Sequence, residues 1–253
     1  MHVVVTGASS GIGRAIALRY AESGADLTLV ARRKERLESL AAEVSTKCHV
    51  VAKDLSDPAS ATDFIADAVA ALGPIDVLVN NAGVQVIGST ADIDVERGEM
   101  SLRVNLLTPL RLTRAVLPAM IERGHGAIVD IASMAAIAPT RFMTYYNASK
   151  AGLAGASEAL RGELAPAGVH VVTVYPGIIP STDMGEKGLA TYEHSTMLGL
   201  QPTGTTDKLA ELVYRAVERK HARVIYPRMN VFARWFPGTT RWMMDRFTPK
   251  LRS

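Results

Sequence analysis

Short runs of apolar, often β-branched residues recur along the chain. Between them lie longer stretches in which apolar positions return every three or four residues. The short runs predict strands over His2–Thr6, Asp26–Ala31, His49–Lys53, Asp76–Asn80, Gly126–Ser133, Val169–Tyr175 and Arg223–Tyr226. Each run is nearly continuous in apolar character, as parallel strands covered on both faces require. The longer stretches predict helices over Gly13–Ser23, Lys34–Ser45, Ala59–Ala71, Gly98–Arg123, Tyr146–Ala165 and Asp207–Lys220. Strands and helices alternating in this way imply an α/β fold, a doubly wound and mostly parallel sheet of seven strands with right-handed crossovers. No repeat, low-complexity block or linker-like stretch divides the chain, so residues 1–227 are expected to form a single domain. Two stretches break the alternation. Residues 178–206 carry Pro180 and Pro202 among Gly, Ser and Thr, and are expected to be an irregular, mobile lid. Residues 228–253 form an extension of the same domain that holds both tryptophans and much of the basic excess.

Composition narrows the class. Of the 253 residues 48% are hydrophobic and 21% charged, enough apolar surface for a full core and too little charge for a disordered chain. The formal net charge is only +3, which gives no ground for nucleic-acid binding. Cys48 is the single cysteine, so no intramolecular disulfide is available and a reducing compartment is the natural setting. It precedes an apolar run and is expected to be a buried strand residue. The N-terminus opens directly into Val3-Val4-Val5, leaving no room for a leader, and no apolar stretch reaches the length of a membrane span. A cytoplasmic protein is expected. The six histidines are scattered without partners at chelating spacing, so no metal is expected.

The segment Thr6-Gly7-Ala8-Ser9-Ser10-Gly11-Ile12-Gly13 follows the first predicted strand and opens the first helix. Glycines there permit a tight turn and close approach of a pyrophosphate. The helix start then directs unpaired N–H groups and the positive end of its dipole at the phosphates. The second strand ends at Ala31, where an NAD site usually carries an acidic residue for the ribose 2′-hydroxyl, and Arg32 and Arg33 follow directly. Arginine forks hold the additional phosphate of NADP(H), so that cofactor is expected. Arg14 is a further source of positive charge just past the turn.

At this point the chain resembles the short-chain dehydrogenase/reductase family, in its ordinary-length subgroup with the cofactor site first. The resemblance covers about residues 2–226 and rests on an ordered set of motifs: Thr6-Gly7-x-x-x-Gly11-x-Gly13, Lys53-Asp54-Leu55, Asn80-Asn81-Ala82-Gly83, Arg103-Val104-Asn105, Ile131-Ala132-Ser133, Tyr146-Asn147-Ala148-Ser149-Lys150 and Pro176-Gly177. It implies a Rossmann fold and assigns catalysis to Asn105, Ser133, Tyr146 and Lys150. For the cofactor it implies Gly7, Ser9, Ser10, Gly11, Ile12 and Gly13, with Asp54 and Leu55 beside the adenine. Asn81, Ala82, Gly83, Pro176, Gly177 and Ile179 complete that set, together with Tyr146 and Lys150. The family usually places a threonine about five residues beyond the proline of the last motif. Here Ser181 holds that spacing and Thr182 follows, so the assignment between them stays open.

The residue types fit the chemistry. Tyr146 and Lys150 are four apart and share a helix face, whereas Tyr145 finds Ser149 at that spacing. A phenol with a pKa of about 10 is a poor base at neutral pH, and a nearby ammonium lowers it. Tyr146 is then the general acid in reduction and the general base in oxidation. Ser133 is placed to donate to the substrate oxygen as charge develops. The resemblance implies that Lys150 holds the nicotinamide ribose hydroxyls, and Asn105 would organise water between Lys150 and bulk solvent. Taken singly, Ser133 also reads as a helix cap and Asn105 as a satisfied interior amide.

The expected pocket is lined by Val84, Gln85, Val86, Met134, Ala135, Thr140, Phe142, Met143, Gly177 and Ile178, with Met184 and Met197 on the lid. It is mainly apolar, so a hydrophobic carbonyl or alcohol is the expected substrate. The family's habit of forming dimers or tetramers points to the helices at 98–123 and 146–165. The latter carries the small-residue run Ala151, Gly152, Ala154, Gly155, Ala156. The basic, aromatic tail suits an anionic membrane surface, a cap on the pocket or a neighbouring subunit. The alternative from another class is a non-catalytic NADP(H) sensor or scaffold on the same fold. A dehydratase or epimerase on an extended version of the fold usually needs a larger C-terminal domain than this length allows.

Overall fold

The computed structural model describes residues 1–193 and 201–252. Seven parallel strands form one sheet: β1 (His2–Thr6), β2 (Asp26–Ala31), β3 (Cys48–Ala52), β4 (Val77–Asn80), β5 (Gly126–Ile131), β6 (Val169–Pro176) and β7 (Arg223–Tyr226), in the order β3-β2-β1-β4-β5-β6-β7. The mostly parallel sheet of the sequence reading is parallel throughout.

Continuous apolar runs are explained by what covers each face. In β1, Val3 and Val5 point into one core and Val4 into the other. Leu27 and Leu29 join Val3, while Val30 and Leu78 join Val4. The first core is closed by α1 (Gly11–Glu22) and α8 (Thr206–Glu218), through Ile16, Tyr20, Leu209 and Val213. The second is closed by α3 (Ile65–Leu72) and α5 (Thr108–Arg123), through Ala68, Leu112, Val116 and Met120. Each fully buried aliphatic side chain contributes about 1.5–3 kcal/mol of transfer free energy, so a strand serving both cores tolerates a polar residue only where it is paired.

The remaining described helices are α2 (Lys34–Glu43), α4 (Val95–Leu102), α6 (Thr144–Leu164), α7 (Asp183–Thr191), α9 (Val231–Trp235) and α10 (Pro237–Phe247). Four features differ from the sequence reading. The helix expected from Ala59 begins at Ile65, because Asp57 accepts hydrogen bonds from the Ala59 N–H and the Ser60 hydroxyl and holds the preceding residues in turns. The long helix expected over 98–123 is α4 and α5 joined by a π-helical segment at Arg103–Leu107. Strand β5 stops at Ile131, and Ser133 stands beyond it, capping a short 3-10 turn at Met134–Ala136. The stretch after β6 is not irregular throughout, since Thr182 caps α7 by accepting from the Gly185 N–H. Met197 lies outside the described residues. Cys48 opens β3 half-buried rather than buried.

Candidate active site

The strand order reverses between β1 and β4, and doubly wound sheets open a crevice at the carboxyl ends of the strands at such a point. Here the crevice is a cleft of about 920 Å³. Its floor at β1 is the glycine turn. Gly7 and Gly11 adopt positive φ values of 68° and 56°, the region glycine enters without strain. Asn81, just past β4, staples the turn to the sheet: its side-chain amide donates to the Thr6 carbonyl at 2.9 Å, and its backbone N–H donates to the Thr6 hydroxyl at 2.9 Å. A Cβ on Gly13 would stand 2.4 Å from both that amide nitrogen and the Gly7 carbonyl oxygen. Gly13 therefore packs the turn and does not line the cleft.

The start of α1 fits an anionic group. Ser10 occupies the cap position in extended conformation without making a side-chain cap, and no acidic residue stands in the first turn. The helix-start N–H groups and dipole are thus directed at the cleft without a carboxylate in the helix's own first turn. Arg33 reaches over the same turn, its guanidinium donating to the hydroxyls of Ser9 at 3.0 Å and Ser10 at 2.8 Å. It also approaches Asp183, the first residue of α7, at 3.9 Å. Arg32, Asp54 and Leu55 line the adjoining part of the cleft. Arg14 does not, because it pairs with Glu43.

On the opposite side, α6 presents Tyr146 and Lys150, both buried, at the cleft wall. Burial pushes the Tyr146 phenol above its ordinary value, and the nearby Ser133 hydroxyl opposes that shift, while the phenol itself reaches Met184 Sδ at 3.9 Å. The expected lowering of the phenol by Lys150 is corrected: burial, which strips the phenolate of water, sets the direction upward. The Lys150 ammonium donates to the Ile131 carbonyl at 2.7 Å. Burial pushes its pKa down to about 8, with the Asp130 carboxylate acting in the opposite direction. Ser133 caps its short turn, accepting from the Ala135 N–H at 3.1 Å, and lines the cleft wall beside the phenol.

Asn105 sits on the π-helical segment and is fully buried. Its side-chain oxygen accepts from the Val84 N–H at 2.8 Å, and its amide donates to the Val84 carbonyl at 2.8 Å and to Ser149 at 3.0 Å. This side chain pins the loop after β4 to α6. Asp130, which sequence reasoning missed, lies on β5 beneath Lys150 and accepts from the Asn80 amide at 2.8 Å. Burial pushes its carboxyl pKa upward. An acid inside an otherwise apolar strand run was the signal available in the sequence.

All the expected catalytic and cofactor residues line this one cleft except Gly13, Asn105 and Ser181. Ser181 is exposed, whereas Thr182 faces the cleft and stands within 3.2 Å of a Cβ placed on Gly11. Of the expected substrate-pocket side chains, Val86 turns into the protein interior and Phe142 stays outside the lining. Sequence reasoning missed Met100 and Val104, supplied by α4 and the π-helical segment. It left open the position of the tail, which places Met229, Phe232, Ala233, Met243, Met244 and Phe247 around the apolar end.

Comparison with known proteins agrees with this architecture. Residues 1–193 match the short chain dehydrogenase family. The ketoacyl reductase HetN of Nostoc is 34% identical over 226 residues, spanning 88% of this chain and 77% of that protein. A short-chain dehydrogenase from Streptomyces avermitilis superposes with a TM-score of 0.82 at 30% identity, covering 97% of this chain and 94% of the other. A short-chain dehydrogenase from Sphingobium yanoikuyae, solved in complex with NADPH, superposes with a TM-score of 0.81 at 33% identity, covering 96% and 95%. With the fold, the ordered motifs and these relatives in agreement, the chain belongs to the short-chain dehydrogenase/reductase family of oxidoreductases.

Proposed function

We propose that this oxidoreductase uses NADP(H) to interconvert a hydroxyl and a carbonyl on a lipophilic substrate, with Tyr146 as general acid and base. The observation that carries the reading is the convergence of Ser133, Tyr146 and Lys150 on the cleft that also holds the glycine turn and Arg33. NADP(H) supplies the hydride. The cofactor choice is supported by the two hydroxyl contacts of Arg33, which hold its guanidinium over the phosphate turn, and by the absence of an acid at Ala31. The NADPH-bound neighbour from Sphingobium supports the same choice.

The chain's own residues divide the remaining work. A phenol held above its ordinary pKa remains protonated at neutral pH and is poised to give its proton to a carbonyl oxygen. Ser133 supplies a second hydroxyl at the same oxygen. Lys150, held by Ile131, keeps a positive charge on the phenol's helix face and is placed to hold ribose hydroxyls. Asn105 positions the wall through Val84 and Ser149. The apolar end, with Met184, Met143 and Tyr192 beside the tail's methionines, favours a lipophilic substrate. We further infer a homo-oligomer through α5 and α6, whose shared groove exposes Leu110 and Ile121 beside Ala156 and Ala159.

The test is a fluorescence titration of NADPH and NADH against the wild-type protein and an Arg32→Ala/Arg33→Ala variant. The wild type is expected to prefer NADPH at least about tenfold, and the variant to lose that preference. Equal binding of NADH by the wild type overturns the cofactor assignment. Tyr146→Phe should lower turnover of carbonyl substrates by about a hundredfold or more while NADPH still binds. Unchanged turnover removes Tyr146 from the chemistry.

A further inference from the structure

We propose that α9 and α10 form a collar that docks on an anionic membrane surface, with the mouth of the cleft turned toward the lipid. The inference rests on the reading above only in taking the substrate to be lipophilic. It starts from where the exposed apolar surface lies. Among the described residues, every exposed phenylalanine and both tryptophans fall between 232 and 247, with Trp235 at 72% and Trp242 at 62% exposure. Exposed large hydrophobics elsewhere are aliphatic and scattered. Single exposed apolar side chains are ordinary, whereas a contiguous aromatic cluster marks a docking face. The rings pack on one another: Phe232 stacks on Phe236 at 4.6 Å between centroids, and Trp242 meets Phe247 edge-on at 5.9 Å.

Charge selects the partner. The segment carries six cations against the single acid Asp245; Arg234 turns to Glu158 and Arg252 to the Tyr192 carbonyl, which leaves the exposed Arg228, Arg241, Arg246 and Lys250 for a partner. Indole rings at headgroup level and arginines toward lipid phosphates are the combination that holds a helix in the plane of an anionic bilayer. A second copy of this chain is the poorer occupant, because a two-fold interface would bring the same positive patch against itself. Helices of 5 and 11 residues are also too short to span a bilayer, so the collar lies on the surface.

The collar is continuous with the cleft. Phe232, Met243 and Phe247 are both exposed and part of the cleft lining, while Ala233 and Met244 line it from deeper positions. The rim is anchored to the body by the Arg252 guanidinium on the Tyr192 carbonyl at 2.9 Å and by the backbone bridge between Tyr192 and Leu251. A lipophilic carbonyl leaving the bilayer would therefore pass along apolar rim side chains into the cleft without crossing open water.

The experiment uses the full chain and vesicles of phosphatidylcholine with or without about 30% phosphatidylserine. Both tryptophans belong to the collar, so intrinsic emission reports on it alone. The expected result is a blue shift and co-sedimentation with the anionic vesicles, weakened by salt and absent with phosphatidylcholine alone. Arg228→Glu/Arg241→Glu, at two exposed positions outside the cleft lining, should weaken partitioning at least about tenfold. The same variant should turn over a water-soluble aldehyde as the wild type does. Unshifted emission with no pelleting overturns the proposal, and so does a tryptophan shift that follows protein concentration in the absence of vesicles. Vesicle binding is read without cofactor or substrate, so its failure is distinct from failure of the proposed activity.

Discussion

At the scale of single residues, the catalytic candidates were legible in the sequence because their spacing is local. Tyr146 and Lys150 share a face of α6 by helical periodicity alone. What that spacing did not carry was their electrostatic setting, which depends on groups distant along the chain. Lys150 is buried over Asp130, and the two act on each other's charge. The other polar groups around Asp130 are Asn80, Ser157 and Arg161. Removing the carboxylate takes away the influence that opposes desolvation, so Asp130→Asn should drop the Lys150 pKa below about 8. The ammonium is then lost at lower pH, and the alkaline limb of kcat/KM for reduction should move to lower pH. A pH profile of the variant against wild type checks this, and an unmoved limb would mean that Asp130 carries no charge that Lys150 feels.

At the scale of elements, the glycine turn and α1 were predictable in position, whereas the π-helical segment was not. The apolar periodicity over residues 98–123 reads as one helix whether or not a turn of it widens, and the widened turn carries Asn105, which reaches Val84 and Ser149. Asn105→Ala would leave the Val84 N–H and carbonyl without their partners, each costing about 1–3 kcal/mol. A lower Tm in thermal denaturation and a raised KM are expected, since the loop it holds lines the cleft. Gly13→Ala should be more damaging to the cofactor site. Its Cβ would meet the Asn81 amide and the Gly7 carbonyl at 2.4 Å, so the turn must open. NADPH titration should show loss of binding, and wild-type affinity would refute the packing role assigned to Gly13.

At the scale of the whole molecule, the proposed partner surfaces are the α5–α6 groove and the aromatic collar. Leu110→Arg, a change on the exposed side of α5, should shift the particle mass in light scattering toward a monomer with little loss of stability. A wild-type protein that is already monomeric excludes the oligomer. The sequence by itself determined the α/β class, the strand positions, the glycine turn and the candidate catalytic residues that the fold brings to one cleft. These follow from periodicity, from β-branched runs and from motifs whose members are neighbours in the chain. The helix at 183–191 escaped that reading because its start depends on the Thr182 cap in a stretch dominated by turn-forming residues. Only the tertiary structure decided that Asp130 underlies Lys150, that Arg33 rather than Arg14 covers the phosphate turn, and that the tail encloses the cleft. Each of these depends on side chains meeting across long stretches of sequence, and a one-dimensional hydrophobic pattern carries no information about which distant surfaces the packed sheet brings together.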